Sequence, residues 1–88
     1  MSFFQGSFPQ YRKYGHNRTY FKISSLVLFE ELNIVAGNYS CTTFAAKILP
    51  DRNFINDMLL NEENRWVIIT EQEYNAAKER CENSLQRF

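Results

Sequence analysis

Along this chain the apolar positions change period, and the changes mark out its elements. Met1 to Gln10 scatters Phe3, Phe4 and Phe8 around Gly6 and Pro9 with no lasting period, so these residues are expected to form an N-terminal arm, ordered only if its rings dock. From Tyr11 the pattern tightens. Tyr11-Arg12-Lys13-Tyr14 and Thr19-Tyr20-Phe21-Lys22-Ile23-Ser24 flank Gly15-His16-Asn17, where Gly and Asn tolerate positive φ, and together they predict a hairpin-like return. Strand alternation places Tyr20 and Lys22 on one face and Phe21 and Ile23 on the other.

The stretch Leu28–Ala36 alternates Leu32, Ile34 and Ala36 against Asn33 and Val35, which predicts a second strand. Gly37-Asn38 suits a type II′ turn, so Tyr39 to about Leu49 should return antiparallel, with Phe44, Ala46 and Ile48 on one side and Cys41, Thr43 and Lys47 on the other. A helix from Thr42 competes, because Phe44, Ala45, Ile48 and Leu49 also fit helical spacing. The β-branched and aromatic start favours the strand.

Pro50 interrupts that strand, and Asp51 is an N-cap candidate for a short helix from Arg52 to about Leu60 with Phe54, Ile55, Met58 and Leu59 on one face. Asn61-Glu62-Glu63-Asn64 is a polar turn. Trp66-Val67-Ile68-Ile69 is too short for a helix and suits a central strand. Thr70-Glu71-Gln72-Glu73 has capping-box spacing: the Thr70 hydroxyl should accept the Glu73 amide while the Glu73 carboxylate reaches back to the Thr70 amide. A helix over Glu71–Gln86 would then align Tyr74, Ala77, Cys81 and Leu85.

These elements predict one α+β domain over residues 1–88, a mainly antiparallel sheet of three to four strands with a short middle helix and a C-terminal amphipathic helix packed on one face. Its expected core is Phe21, Ile23, Phe29, Leu32, Ile34, Phe44, Ile48, Phe54, Met58, Trp66, Ile68, Tyr74, Ala77, Cys81 and Leu85. Aromatic residues make up 16% of the chain, and each buries on the order of 150–250 Å², so a core is within reach without disulfides. Cys41 and Cys81 form no C-x-x-C and are expected to be reduced thiols.

Charge changes the picture more. From Met1 to Phe29 there is no carboxylate, only Arg12, Lys13, Arg18 and Lys22 with His16, whereas all 10 acidic residues lie from Glu30 onward. A basic, aromatic N-terminal third and an acidic remainder point to binding before chemistry. Single-stranded nucleic acid is held by cations interleaved with exposed rings, which makes Tyr11, Arg12, Lys13, Tyr14, Arg18, Tyr20 and Lys22 the candidate binding surface. The same asymmetry would let the basic part of one subunit pack on the acidic part of another, or on its own.

Catalytic patterns are thin. His16 is the one imidazole and sits in turn chemistry, so neither a Ser-His-Asp nor a Cys-His site is indicated. Ligand spacings for zinc are missing, Asp51, Asp57, Glu62 and Glu63 lack EF-hand alternation, and no phosphate-cradling Gly-rich motif occurs. No cofactor is expected. No apolar run approaches the roughly 20 residues that span a bilayer, so no membrane partner and a cytoplasmic location are expected. The leading expectation is a non-enzymatic interaction module that self-associates as a homodimer or binds another protein, with single-stranded nucleic-acid binding as the alternative and a small enzyme third.

Overall fold

Gly15 to Asn17 reverse the chain as expected: Asn17 adopts φ 60 and its amide donates to the Tyr14 carbonyl at 3.0 Å. The computed structural model describes residues 6–35 and 38–85, the side chains of 35 and 81–85 excepted. Around that reversal stand β1 (Gln10–Tyr14) and β2 (Thr19–Ser25), followed by β3 (Leu28–Val35), β4 (Asn38–Ala45), α1 (Leu49–Leu60), β5 (Trp66–Ile68) and α2 (Glu71–Leu85). The expected α+β class holds, with a larger sheet: five strands in the order β4-β3-β2-β1-β5, every neighbour antiparallel. The additional strand is β1. No helix among the described residues is long and apolar enough to cross a membrane.

The sheet is covered on both faces. One face carries Phe21, Ile23, Phe29 and Trp66, packed with Ile55, Met58 and Leu59 of α1. The other carries Tyr11, Tyr20 and Leu32, packed with Tyr74 and Ala77 of α2. Strand β2 explains why: Tyr20 on one side and Phe21 and Ile23 on the other give it no wholly polar face, so each must be removed from water.

Segment 38–45 forms the expected strand, beginning at Asn38 paired with Val35. Gly37 lies outside the described residues. The strand stops at Ala45 because α1 starts earlier than Arg52. Its N-cap is Ile48, with extended backbone and no side-chain cap bond, and Pro50 occupies the first turn, where its missing N–H leaves no intrahelical bond unmade. Asp51 is therefore not the cap; it sits inside the first turn, where a negative charge meets the positive end of the helix dipole.

At the other end Asn61 takes the left-handed conformation, φ 50, and its amide donates to the Asp57 carbonyl at 2.8 Å. Its side chain then acts as a strand partner. Nδ2 donates to the Trp66 carbonyl at 2.7 Å and Oδ1 accepts the Trp66 amide at 3.1 Å, which fixes the entry of β5. That strand lies at the sheet margin beside β1, not at its centre as expected.

Eight of the expected core residues are buried: Phe21, Ile23, Phe29, Leu32, Met58, Trp66, Tyr74 and Ala77. Ile34 and Phe54 are half-buried against the two clusters. Three expectations fail. Ile48 is spent on the cap and Ile68 on the marginal strand, at 60% and 67% exposed, while Phe44 lies exposed at the opposite margin, stacked on Phe29 at 5.1 Å between centroids. The side chains of Cys81 and Leu85, and the first five residues of the expected arm, lie outside the described residues.

Candidate functional site

The seven basic and aromatic candidates do not share a surface. Alternation along β1 and β2 sends Tyr11 and Tyr20 under α2 and Arg12 under α1, and all three are buried. Lys13 and Lys22 are half-buried on the α2 face. Tyr14 lies half-buried on the α1 side, stacked on Trp66 at 6.1 Å and edge-on to Phe21 at 5.5 Å. Of the seven, Arg18 is the exposed one.

Arg12 has the most specific role. It is 2% exposed, and its guanidinium donates from Nε to the Met58 carbonyl at 3.0 Å and from Nη2 to the Leu59 carbonyl at 3.3 Å. Nη1 donates to the Tyr11 carbonyl at 2.8 Å and to Oε1 of Gln10 at 3.2 Å. None of these partners is a carboxylate. Met58 and Leu59 belong to the last turn of α1, which contains no basic residue of its own, so Arg12 brings a positive charge from the sheet to the negative end of that helix. Burial pulls its pKa below the ordinary arginine value, and the carbonyls hold it as a cation.

The basic third and the acidic remainder meet within the chain at Lys13 and Glu73, and a second pair joins two residues of the remainder. Lys13 pairs with Oε2 of Glu73 at 2.6 Å, and Lys78 pairs with Oε1 of Glu30 at 3.0 Å. Glu73 thus departs from the expected box: its amide donates to the Thr70 hydroxyl at 3.1 Å, but its carboxylate turns to Lys13. Glu30 also accepts the Tyr74 hydroxyl at 2.5 Å and a hydrogen bond from Cys41. Burial alone would raise the Glu30 pKa, yet these donors and the Lys78 charge bring it below the ordinary carboxylate value. Burial and the same carboxylate push the Tyr74 phenol well above its ordinary value.

His16 is exposed in the β1–β2 turn, where Nδ1 accepts the Arg18 amide at 3.0 Å and the ring stands 5.5 Å from Tyr14. A hollow of about 170 Å³ is lined by Asp57, Leu60, Glu62, Glu63, Arg65 and Trp66, and within it Glu63 pairs with Arg65. Among the described residues no group of three or more His, Cys, Asp and Glu side chains is placed to hold a metal ion.

The least satisfied part of the fold is a margin. Strand β4 is eight residues long, Asn38-Tyr39-Ser40-Cys41-Thr42-Thr43-Phe44-Ala45, with every side chain exposed except a half-buried Tyr39. Its pairing with β3 runs unbroken from Leu28↔Ala45 to Val35↔Asn38, and among the described residues no strand lies on its outer side. It contains no charge, proline or bulge, the devices that ordinarily blunt an edge. An apolar surface adjoins its C-terminal end, where Leu26, Val27, Ile48 and Leu49 are exposed and the Ala46 amide donates to the Val27 carbonyl at 2.7 Å. One signal for this edge was present in the sequence: no charged residue occurs from Leu32 to Ala46. A scan against protein-family models found no match, and neither the curated proteins nor the solved structures yielded a significant one.

Proposed function

We propose that this chain is a non-enzymatic interaction module whose partner is a second copy of itself, joined through β4. The uncovered β4 margin carries the reading. A strand edge exposes a row of backbone donors and acceptors, and an antiparallel copy related by a two-fold axis presents the same row in return. Because β4 is uncharged, that copy brings no like charges together. The opposite margin offers much less: β5 spans three residues, and the chain enters α2 at Glu71 almost at once.

Burial of Tyr11, Arg12 and Tyr20 lowers support for a nucleic-acid surface on the N-terminal third, because stacking platforms and phosphate contacts must be accessible. Light scattering over a range of concentrations tests the proposal. The expected mass is twice the 10.5 kDa of one chain. Thr42→Lys would place two ammonium groups together at the centre of the joined edge and is expected to return the mass to one chain with unchanged circular dichroism, since Thr42 is exposed. A wild-type mass of one chain at every concentration would overturn it.

A further inference from the structure

Hydrogen bonding in β3 and β4 fixes which groups of the edge face outward. The Ala46 amide donates to the Val27 carbonyl, so residue 46 turns its backbone toward β3. On the far side of β3, the Ile34 amide donates to the Arg18 carbonyl, so the even residues of β3 serve β2 and the odd ones serve β4. Both observations agree. With an unbroken register, Ser40, Thr42 and Phe44 bond inward, while the N–H and C=O of Tyr39, Cys41, Thr43 and Ala45 project from the margin.

A two-fold copy paired antiparallel keeps equivalent faces of the two sheets on one side, so each residue must lie opposite one of the same parity. Three registers set at least three of the four outward residues face to face. The one with Thr43 on the axis pairs Cys41 with Ala45, leaves Tyr39 without a partner in the other strand and overlaps only residues 41–45, so two registers use most of the strand. One has Cys41 on the axis and pairs Tyr39 with Thr43 of the other copy, leaving the groups of Ala45 outside the described strand. The other has Thr42 on the axis and pairs Tyr39 with Ala45 and Cys41 with Thr43, using all four outward residues.

We infer that two copies of this chain join β4 to β4 in the second register, with Thr42 on the two-fold axis, to form one continuous sheet of ten strands from the five of each copy. This inference rests on the self-association proposed above and specifies its geometry. Side-chain sizes agree with it. Phe44, 39% exposed on the α1 face, comes opposite Ser40 of the other copy, and Tyr39 on the α2 face comes opposite Ala45. A large residue meets a small one at each place. Asn38 of one copy reaches Ala46 of the other, beside the exposed Val27 and Ile48, so the apolar end of the edge lies next to the joint.

Cross-linking reads the register. At the axis, Thr42 forms a non-hydrogen-bonded pair with itself, in which Cα atoms stand about 4.5 Å apart, inside the range of about 4.4–6.8 Å that a disulfide accepts. Cys41 and its own copy are then diagonal neighbours at roughly 7–8 Å, outside that range. Three proteins are compared under copper–phenanthroline oxidation on non-reducing gels, with solution mass measured beforehand: Cys81→Ser alone, Cys41→Ser with Cys81→Ser, and that pair with Thr42→Cys. The expected result is a dimeric mass for all three and a shift of most of the band to twice the chain mass only with Thr42→Cys. A cross-link in Cys81→Ser but not with Thr42→Cys overturns this register and leaves self-association standing. Dimeric mass without any cross-link overturns both of these registers. Monomeric mass for all three and for the wild type overturns the proposed function itself.

Discussion

Arg12 of β1 donates through Nε to the carbonyl of Met58 in the last turn of α1, 46 residues later in the chain, and so fastens a helix to the strand beneath it. A cation in the middle of a strand becomes the C-terminal partner of a helix that lacks one.

Arg12→Met keeps much of the buried stem and removes the bonds to the Met58 and Leu59 carbonyls. Hydrogen bonds from a charged group contribute about 1.5–3 kcal/mol, and a loss of that order in urea-unfolding stability is expected. Arg12→Lys should recover only part of it, because an ammonium cannot reproduce the planar fork that reaches both carbonyls. Salt should change neither result appreciably, since the site is buried. A midpoint for Arg12→Met equal to that of wild type would show that the C-terminal turn of α1 stands without this partner.

Much of the architecture was legible where local chemistry decides it. The Gly15–Asn17 reversal, the alternation in β3 and the start of α2 after Thr70 each depend on residues close in sequence. What depends on distant partners was not. Tyr20 and Lys22 share a face and suggest an exposed side, but Tyr11, Leu32 and Tyr74 close over Tyr20 from elsewhere. Arg12 resembles a binding cation until the end of α1 is known to need one. Ile68 resembles core until β5 is placed at a margin, and the openness of β4 follows only from the order of strands, which no local pattern carries.

Thr70 and Glu73 separate two effects that a capping box would have merged. The Thr70 hydroxyl accepts the Glu73 amide, so Thr70→Ala is expected to cost about 0.5–2 kcal/mol irrespective of salt. The Glu73 carboxylate serves Lys13 instead, in a pair whose side chains are 18% and 42% exposed. Glu73→Gln should therefore cost no more than about 1 kcal/mol, and less as salt rises. Unfolding midpoints at low and high sodium chloride distinguish them. Equal, salt-independent losses would restore the reciprocal box.

Glu30 and Tyr74 set opposite limbs of the pH–stability curve. In the folded chain the Glu30 pKa lies below its ordinary value, so its contribution is full above about 4.3 and is lost as pH falls through the lower folded value. Tyr74 behaves inversely. Its folded pKa lies above the ordinary value, so its contribution is complete below about 10 and is lost as pH rises, because the unfolded chain ionises first. Glu30→Gln is expected to flatten the acid limb, and Tyr74→Phe the alkaline limb. Tyr74→Phe should also lower stability at neutral pH by about 1.5–3 kcal/mol, the contribution of a hydrogen bond to a charged group, since it removes the 2.5 Å donor to Oε1 while keeping the ring against Tyr11 at 5.4 Å. Unfolding midpoints measured from pH 3 to 11 read both limbs. An acid limb identical in wild type and Glu30→Gln would show that this carboxylate is not held below its ordinary value in the folded chain.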